Sequence, residues 1–345
     1  MNFTFDNELE SFVSTINDFI QKDYSPQHIR NAWSSGDPFS NEHWKSMINL
    51  GVSQMILDEK FQGMGLSLDE AILVYEELAY GGVIEPIIEQ SILINNLAHE
   101  FPQGLQDLIG ERLIDQYVAL THPSSPFVNH LSHASGLLSI QNNDISFVEL
   151  EGIESELLES NDPSRVVSSI KSIKNSHSFK LDPSLERKIV SSGKLVSALT
   201  IIGLSRRCLD ISSEYVKTRE QFGKPIGSFQ AVKHMLSDIA VKIEFAKAAI
   251  YRAANSIILD HPLHELHSNV AKYLANQAGE IATKNSIQAH GAMGYTWEVD
   301  LHIFMRRIWA FNSLWATQSE IEFEIEGFLH ENTEKLGATF TFTED

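Results

Sequence analysis

The sequence predicts a mostly α-helical protein in three parts, and two patterns carry that prediction. Apolar residues recur at spacings of three, four and seven over most of residues 5–115 and 185–329, the period of helices with one buried face. Between these regions, short runs such as LLSIQ and ISFVEL are separated by Ser, Asn, Pro and Asp, which is typical of strands joined by turns. We therefore expect an N-terminal helical domain (1–116), a reduced β-rich middle domain (117–182) and a C-terminal helical bundle (183–345).

The N-terminal domain shows four apolar stripes of helical period. Gly51 and the Gly81-Gly82 pair end two of them, because glycine readily takes the backbone conformation that closes a helix. The predicted helices cover residues 12–20, 44–50, 68–79 and 87–97.

The C-terminal region shows four long helical patterns, which we expect to form a four-helix bundle. The HPLHELH segment (261–267) resembles a metal cluster, but His264 and His267 have no carboxylate or thiol partner in an obvious pattern. We interpret it as a solvated helix start and predict no metal site. The four helices are predicted near residues 185–218, 229–259, 263–289 and 299–329.

The composition indicates a soluble globular protein with an acidic surface. The 345 residues are 43% hydrophobic, and 46 acidic residues outnumber 26 basic ones, giving a net charge of −20. Such a surface repels nucleic acids and anionic membranes, so neither is an expected partner. No stretch approaches 18 consecutive apolar residues, and the acidic N-terminus lacks the apolar core of a signal peptide, so we expect no membrane insertion. The single cysteine, Cys208, excludes an internal disulfide, is expected to be buried and fits a cytoplasmic location.

The turn between the first two bundle helices is the most informative segment. A helical run ends at Lys217-Thr218-Arg219, a Gly/Pro-rich stretch (222–227) turns the chain, and a second helix begins near Phe229. A guanidinium beside exposed backbone amides suits a pyrophosphate. Taken alone, however, the segment is best interpreted as a helical hairpin with a solvated arginine.

Two motifs connect this segment to a known family. Residues 215–230 follow the pattern Y-x-x-x-R-x-x-F-G-x-x-I-x-x-F-Q, and residues 288–295, QAHGAMGY, follow Q-x-x-G-G-x-G-Y with Ala292 in place of the second loop glycine. In this order and spacing they resemble the acyl-CoA dehydrogenase family. The resemblance implies an acyl-CoA substrate, FAD, a helical N-terminal domain, a β-domain and a C-terminal four-helix bundle.

The resemblance also implies a set of flavin contacts made across a subunit interface. Arg219 would pair with the FAD diphosphate, and Phe222 would pack near the adenosine end. Gln288 and Gly291 would contact the diphosphate through an amide and the backbone, and Gln230 is a weaker candidate in the same region.

The middle domain departs from the family pattern. The family lines its flavin ring with a T-E-P-x-x-G-S-D type segment, whereas this chain has LTHPSSP at residues 120–126. The acid and the glycine are missing, and the whole region is shorter. With fewer strands, the middle domain offers fewer residues to enclose the isoalloxazine ring of the flavin.

The family's catalytic base is also absent from its expected positions. Acyl-CoA dehydrogenation removes an α-proton, which requires a desolvated carboxylate with a raised pKa. The commonest position of that Glu corresponds to Trp315, and the alternative position corresponds to Gly193. We therefore predict no catalytic residue in this chain. Three acids nearby in sequence are off register and are interpreted as solvated or capping groups: Glu186, Glu298 and Glu320.

These features most resemble the reduced subunit of mixed acyl-CoA dehydrogenase tetramers linked to steroid side-chain degradation. In that arrangement this chain would supply flavin contacts to a second subunit, which holds the base. Alternatives are a self-sufficient homo-oligomer with a displaced base, a flavin monooxygenase of the same fold, and a structural subunit without flavin contacts. Straight-chain, branched and sterol-derived acyl groups all remain open.

Overall fold

The computed structural model describes residues 7–333, except Ser124 and Asn142. The ends of the predicted outer domains, residues 1–6 and 334–345, and one position of the 120–126 segment therefore lie outside the described residues. The N-terminal region is helical, as predicted, and its helices are α1 (Asn7–Asp23), α2 (Pro26–Ser35), α3 (Asn41–Asn49), α4 (Leu68–Gly81), α5 (Ile87–Gln90, continued by a π-helical turn over Ser91–Asn95), α6 (Gln103–Ile109) and α7 (Arg112–Asp115).

Local signals in the sequence set the bounds of α4. Ser67 and Glu70 form a capping box at its start, in which each side chain satisfies a backbone N–H of the other residue. Gly82 ends the helix with φ 73°, a left-handed conformation that suits glycine. The predicted break at the glycine pair is confirmed.

The described residues of the middle segment form two small sheets. Their strands are β1 (Ala119–Leu120), β2 (Phe127–Asn129), β3 (Leu137–Gln141), β4 (Asp144–Val148), β5 (Ile153–Leu158), β6 (Val167–Ile173) and β7 (His177–Lys180). In the first sheet, β1 pairs parallel with β3, and β4 pairs antiparallel with β3 and with β7. In the second sheet, β6 lies between β2 and β5 and pairs antiparallel with both. The register of the central hairpin aligns Leu137 with Val148 and Gln141 with Asp144.

The C-terminal region, described as far as residue 333, contains three long helices and two shorter ones. A hairpin of two short strands joins the first two helices. The elements are α8 (Pro183–Thr218), β8 (Glu220–Gln221), β9 (Lys224–Pro225), α9 (Gln230–Ile258), α10 (His264–His290), α11 (Leu301–Asn312) and α12 (Gln318–Glu331).

The prediction of one helix over 299–329 is wrong, because the chain breaks between α11 and α12. Thr317 and Glu320 form a second capping box, which starts a new helix at Gln318. Trp315 lies in the intervening loop with φ 67°. The loop therefore contains the position at which the resemblance predicts the commonest catalytic base.

Helix α8 is the central element of the fold. Within the described residues it is the one helix long and apolar enough to cross a membrane, and 94% of its most apolar window is buried inside the protein. A Cβ on its Gly203 would lie 2.6–2.8 Å from atoms of Ala79, Tyr80 and Glu76, so α8 packs directly on the backbone of α4. Cys208 is buried on the same helix, as predicted, and burial raises the pKa of its thiol.

The interpretation of the HPLHELH segment as a solvated helix start is wrong for its central histidine. His264 is buried, and its Nδ1 lies 2.9 Å from the Ser191 hydroxyl. His267 Nδ1 lies 2.7 Å from the Ser256 hydroxyl, and burial, followed by the charge of Arg252, lowers the pKa of His267 to about 4. No cluster of three or more metal-ligating side chains occurs among residues 7–333 as described.

Candidate functional site

The turn after α8 presents an aromatic ring to solvent. Glu220–Gln221 pairs with Lys224–Pro225, and the two residues between them, Phe222 and Gly223, have φ 54° and 76°. Positive φ at both positions is the signature of a type I′ turn, which usually contains Asn or Gly. A phenylalanine in this conformation is strained by about 1–2 kcal/mol. The side chain of Phe222 is nevertheless 92% exposed.

The backbone of Arg219 in this turn is fixed by hydrogen bonds, whereas its side chain extends into solvent. The Arg219 N–H donates to Tyr215, and its carbonyl accepts from the Ile226 N–H at 2.8 Å. Its side chain is exposed and forms no hydrogen bond or ion pair with any described residue. An anchored backbone below an unpaired guanidinium is suited to an anion that comes from outside the chain.

The second motif lies at the end of α10. Gln288 is exposed, and the helix ends at Gly291 with φ 59° and ψ −136°. This backbone conformation is essentially restricted to glycine, and no atom lies within 4 Å of a Cβ built at Gly291. The backbone at Gly291 is therefore open to a close approach by another group.

A stacked ring pair brings the two motifs together. Tyr215, the first residue of the turn motif, stacks on His290 with ring centroids 4.2 Å apart. The His290 Nδ1–H donates to the Ser286 carbonyl at 2.8 Å, and burial lowers the pKa of His290 despite that bond. The end of α8, the start of α9 and the end of α10 therefore lie at one end of the bundle. This end carries all five predicted flavin contacts: Arg219, Phe222, Gln230, Gln288 and Gly291.

The two predicted base positions contact each other. Any Cβ at Gly193 in α8 would overlap the indole ring of Trp315. The Ser197 hydroxyl, one turn further along α8, donates to the Leu314 carbonyl at 3.1 Å and holds the loop in place. The indole therefore fills the space that a carboxylate from either position would occupy.

His122 lies against the other face of this filled site. Its ring centroid is 4.8 Å from that of Trp315. Burial lowers the pKa of His122, and a hydrogen bond with the Trp315 backbone partly offsets this effect. A cavity of about 60 Å³ lies on the inner side of these rings. A more open groove of about 550 Å³ lies on the outer side, lined by the loop after β1 and by β3 and β6. Among the described residues, His122 alone lines both spaces.

The inner cavity is small compared with ligand pockets. Cavities that enclose drug-sized ligands have volumes of about 300–1,000 Å³. The cavity is lined by apolar side chains and by several polar ones, among them Glu89 and Arg165. Burial raises the pKa of Glu89 and lowers that of Arg165, and each charge partly offsets the effect on the other.

Sequence reasoning missed Glu89 because no family pattern marks its position. A carboxylate with a raised pKa in a cavity is a general feature of catalytic bases, but its burial could not be deduced from the sequence alone. The three acids discussed above do not line this cavity. Glu320 caps α12, and its bond from the Thr317 N–H lowers its pKa, whereas Glu298 is exposed and Glu186 lies in the first turn of α8.

Two family models match the chain and span more than half of it. The acyl-CoA dehydrogenase N-terminal domain matches residues 6–99, and the acyl-CoA dehydrogenase C-terminal domain matches residues 187–325. The chain belongs to the acyl-CoA dehydrogenase family. Membership confirms the expected class of enzyme, an oxidoreductase that acts on acyl-CoA thioesters.

Individual relatives share moderate sequence identity with this family member. Acyl-CoA dehydrogenase IpdE2 of Mycobacterium tuberculosis is 26% identical, over 87% of this chain and 90% of its own length. Acyl-CoA dehydrogenase FadE34 of the same organism is 40% identical, but over 32% of this chain and 16% of its own length.

Solved structures confirm the acyl-CoA dehydrogenase fold. A chain of the ChsE4-ChsE5 complex from Mycobacterium tuberculosis has a TM-score of 0.84 at 18% identity, covering 98% of this chain and 100% of that chain. The FAD complex of PigA has a TM-score of 0.82 at 17% identity, covering 96% and 99%. At such identities the likeness concerns the fold alone.

Proposed function

We propose that this chain is the partner subunit of a two-subunit, FAD-dependent acyl-CoA dehydrogenase. It supplies flavin contacts across the subunit interface and no catalytic base. The observation that carries the proposal is the contact between Trp315 and Gly193, in which one indole fills both positions where the family places a base.

The chemistry explains why this contact matters. Dehydrogenation removes a proton from the α-carbon of the thioester, and bound FAD supplies the acceptor for the hydride from the β-carbon. The indole of Trp315 has an N–H donor and no acceptor, so it cannot take the proton. The small size of the inner cavity beside it also supports the absence of an acyl site in this chain.

The turn after α8 and the end of α10 support the other part of the proposal, the flavin contacts across the interface. Arg219 offers a guanidinium without a partner among the described residues, and Gly291 offers open backbone. Both suit the diphosphate of an FAD molecule that is held by a neighbouring subunit. A charged hydrogen bond of this kind contributes about 1.5–3 kcal/mol.

The assembly follows from this division of roles. The partner is a second acyl-CoA dehydrogenase subunit that carries the base, the flavin ring site and the acyl-CoA pocket, in a cytoplasmic heterotetramer. Two of the structures with this fold come from pairs of differently named chains: the ChsE4-ChsE5 complex and the Tcur3481-Tcur3483 steroid dehydrogenase. That likeness supports a sterol-derived acyl group as the first substrate to test.

The decisive experiment compares this chain expressed alone and with its partner subunit. We expect the isolated chain to purify without colour and the mixed complex to hold one FAD per pair of chains, measured by flavin absorbance after denaturation. Acyl-CoA-dependent dye reduction should require both chains. Stoichiometric FAD on the isolated, active chain would overturn the proposal.

A second candidate function rests on Glu89. If the chain works as a homo-oligomer, Glu89 is the described carboxylate that lines the inner cavity and has a raised pKa, and it would be the displaced base. Glu89→Gln preserves the shape of the side chain and removes the base. Loss of turnover by at least about a hundredfold at unchanged flavin content would favour this candidate. The partner-subunit proposal expects unchanged turnover of the mixed complex.

A further inference from the structure

The stacked pair of Tyr215 and His290 joins the two flavin-contact motifs without belonging to the predicted contacts. Tyr215 opens the turn motif, and His290 fills a position that the second motif leaves unspecified. The two rings lie at an interplanar angle of 23°. His290 is 4% exposed and Tyr215 is half-buried, whereas Arg219 and Gly291 are exposed. The pair is therefore placed to act on a ligand through its exposed neighbours.

Tyr215 makes three contacts that reach both motifs. Its backbone carbonyl accepts the Arg219 N–H at 2.9 Å, at the end of α8. Its ring stacks on that of His290. Its hydroxyl donates a long hydrogen bond of 3.5 Å to the His290 carbonyl, which belongs to the peptide group that joins His290 to Gly291. One residue thus connects the backbone of Arg219 with the backbone that leads into Gly291.

The imidazole ring of His290 is fixed by both α10 and α8. Its Nδ1–H donates to the Ser286 carbonyl, one turn earlier in α10. The Ser286 hydroxyl donates to the Cys208 carbonyl at 3.4 Å, two turns before Tyr215 in α8. This hydroxyl bond and the ring stack are successive contacts between the same two helices, and together they hold the ends of α8 and α10 in one register.

The register of these ends decides how the two flavin contacts work together. Arg219 caps the end of α8 and Gly291 caps the end of α10, so their separation depends on how the two helix ends are held. A diphosphate bound by both gains affinity when they are already held in place, because less ordering is then needed on binding. We propose that Tyr215 and His290 are positioning residues that fix the separation between Arg219 and Gly291. This inference rests on the proposed flavin contacts and assigns them a support within the chain.

Substitutions that remove or keep the stack test this role by flavin titration of the mixed complex. Tyr215→Leu and His290→Leu should each weaken FAD binding by at least about fivefold, because both lose the ring contact. Tyr215→Phe keeps the ring and loses only the long hydroxyl bond, so its affinity should stay within about twofold of the original. A loss in Tyr215→Phe equal to that in Tyr215→Leu would contradict the role of the stack.

Phe39→Leu is a matched control for the loss of a stacked ring pair. Phe39 stacks on His133 with ring centroids 4.3 Å apart, is buried and lies outside both motifs. Its substitution should lower the unfolding temperature and leave FAD affinity unchanged. If Phe39→Leu weakened FAD binding as much as Tyr215→Leu, a general loss of stability would explain both effects and the inference would be wrong.

A combined variant shows whether the stack acts through Arg219. In an Arg219→Ala background, Tyr215→Leu should weaken FAD binding by less than about twofold, because the group that the stack positions is then missing. An undiminished effect in this background would show that Tyr215 acts elsewhere.

Hydrogen exchange of the isolated chain gives a readout that involves no flavin. The Arg219 and Ile226 amides, whose hydrogen bonds close the turn, should exchange at least about fivefold faster in Tyr215→Leu than in Tyr215→Phe. Equal exchange in the two variants would mean that the stack does not hold the turn, which overturns the inference.

Failure of the inference can be told apart from failure of the proposed function. If Arg219→Ala leaves FAD affinity unchanged, the flavin contact of this chain is wrong, and the positioning role is wrong with it. If Arg219→Ala weakens FAD binding and Tyr215→Leu does not, the flavin contact stands and only the positioning role is wrong. Circular dichroism checks that each variant is folded.

Discussion

The two ends of the predicted site differ in how their strained residues are stabilised. Phe222 and Trp315 both have positive φ, at 54° and 67°, a conformation that disfavours residues with a side chain. The indole of Trp315 packs on Gly193 inside the protein, so contacts within the chain offset its strain. The ring of Phe222 is 92% exposed, and its one described ring contact is the edge of Phe229 at 6.1 Å.

This difference indicates where each end of the site is completed. Backbone strain persists where the surrounding structure compensates for it, and it concentrates at functional positions. The compensation for Trp315 lies within this chain, so that end is closed. Phe222 makes little side-chain contact among the described residues, which is the property that the proposal expects of a residue contacting another subunit.

The largest expected effect is on flavin affinity, at the end of the site that carries Arg219 and Phe222. Arg219→Ala should weaken FAD binding by the mixed complex by roughly ten- to a hundredfold, because it removes a charged hydrogen bond of about 1.5–3 kcal/mol. Lys217→Ala is a matched control, since it removes a nearby positive charge that is already paired with Glu214 at 2.7 Å. Flavin titration measures both. Equal FAD affinity in the two variants would show that Arg219 is a surface charge without a ligand.

The next largest effect is on the free energy of unfolding, at Gly193. Its sign depends on whether the indole of Trp315 is present. Gly193→Ala should destabilise the chain, because overpacking against the indole costs about 1–3 kcal/mol and outweighs a gain in helix propensity of about 1 kcal/mol. In a Trp315→Ala background the same substitution should become stabilising. Denaturant unfolding measures the free energies of the four chains.

Gly203, a second glycine in α8, provides a control for steric crowding that does not involve Trp315. A Cβ at Gly203 would meet backbone atoms of α4 at 2.7–2.8 Å, so Gly203→Ala should destabilise the chain with or without Trp315. Additive effects of Gly193→Ala and Trp315→Ala would contradict the contact between the two base positions.

The sequence located the helices and the motif turn more readily than the contact between Gly193 and Trp315. Helix periods and glycine stops are local, so α4, α8 and the motif turns could be located from neighbouring residues. The contact between Gly193 and Trp315 joins positions 122 residues apart, and no local pattern encodes it. The break before α12 did have a local signal, the Thr317-x-x-Glu320 capping box, which the apolar period of residues 299–329 obscured.

A smaller effect is expected from relieving the strain at the turn. Phe222→Asn should stabilise the isolated chain by about 0.5–1 kcal/mol, because Asn-Gly is a preferred sequence for a type I′ turn. The same substitution should weaken assembly with the partner subunit, since it removes the exposed ring. Thermal unfolding of the isolated chain and titration of the partner measure the two effects. A gain in stability with unchanged assembly would show that Phe222 contacts no other subunit.

The smallest effect on catalysis is expected at Trp315 itself. Trp315→Glu restores a carboxylate at the family's commonest base position, yet it should create no acyl-CoA-dependent dye reduction in the isolated chain. The proposal places both the acyl group and the flavin ring in the partner, and the cavity beside Trp315 is only about 60 Å³. Turnover of the mixed complex should stay nearly intact at matched flavin content, because the base there belongs to the other subunit.

The effect of Trp315→Glu on stability must be distinguished from its effect on turnover. A carboxylate without a partner in place of a packed indole destabilises the chain. Trp309→Glu, at a tryptophan that is 48% exposed on α11, shows the effect of the same substitution on the surface. If Trp315→Glu alone abolished turnover while the complex kept its flavin, Trp315 would line a working acyl site. The closed end would then be an active site of this chain, and the division of roles between the two subunits would be wrong.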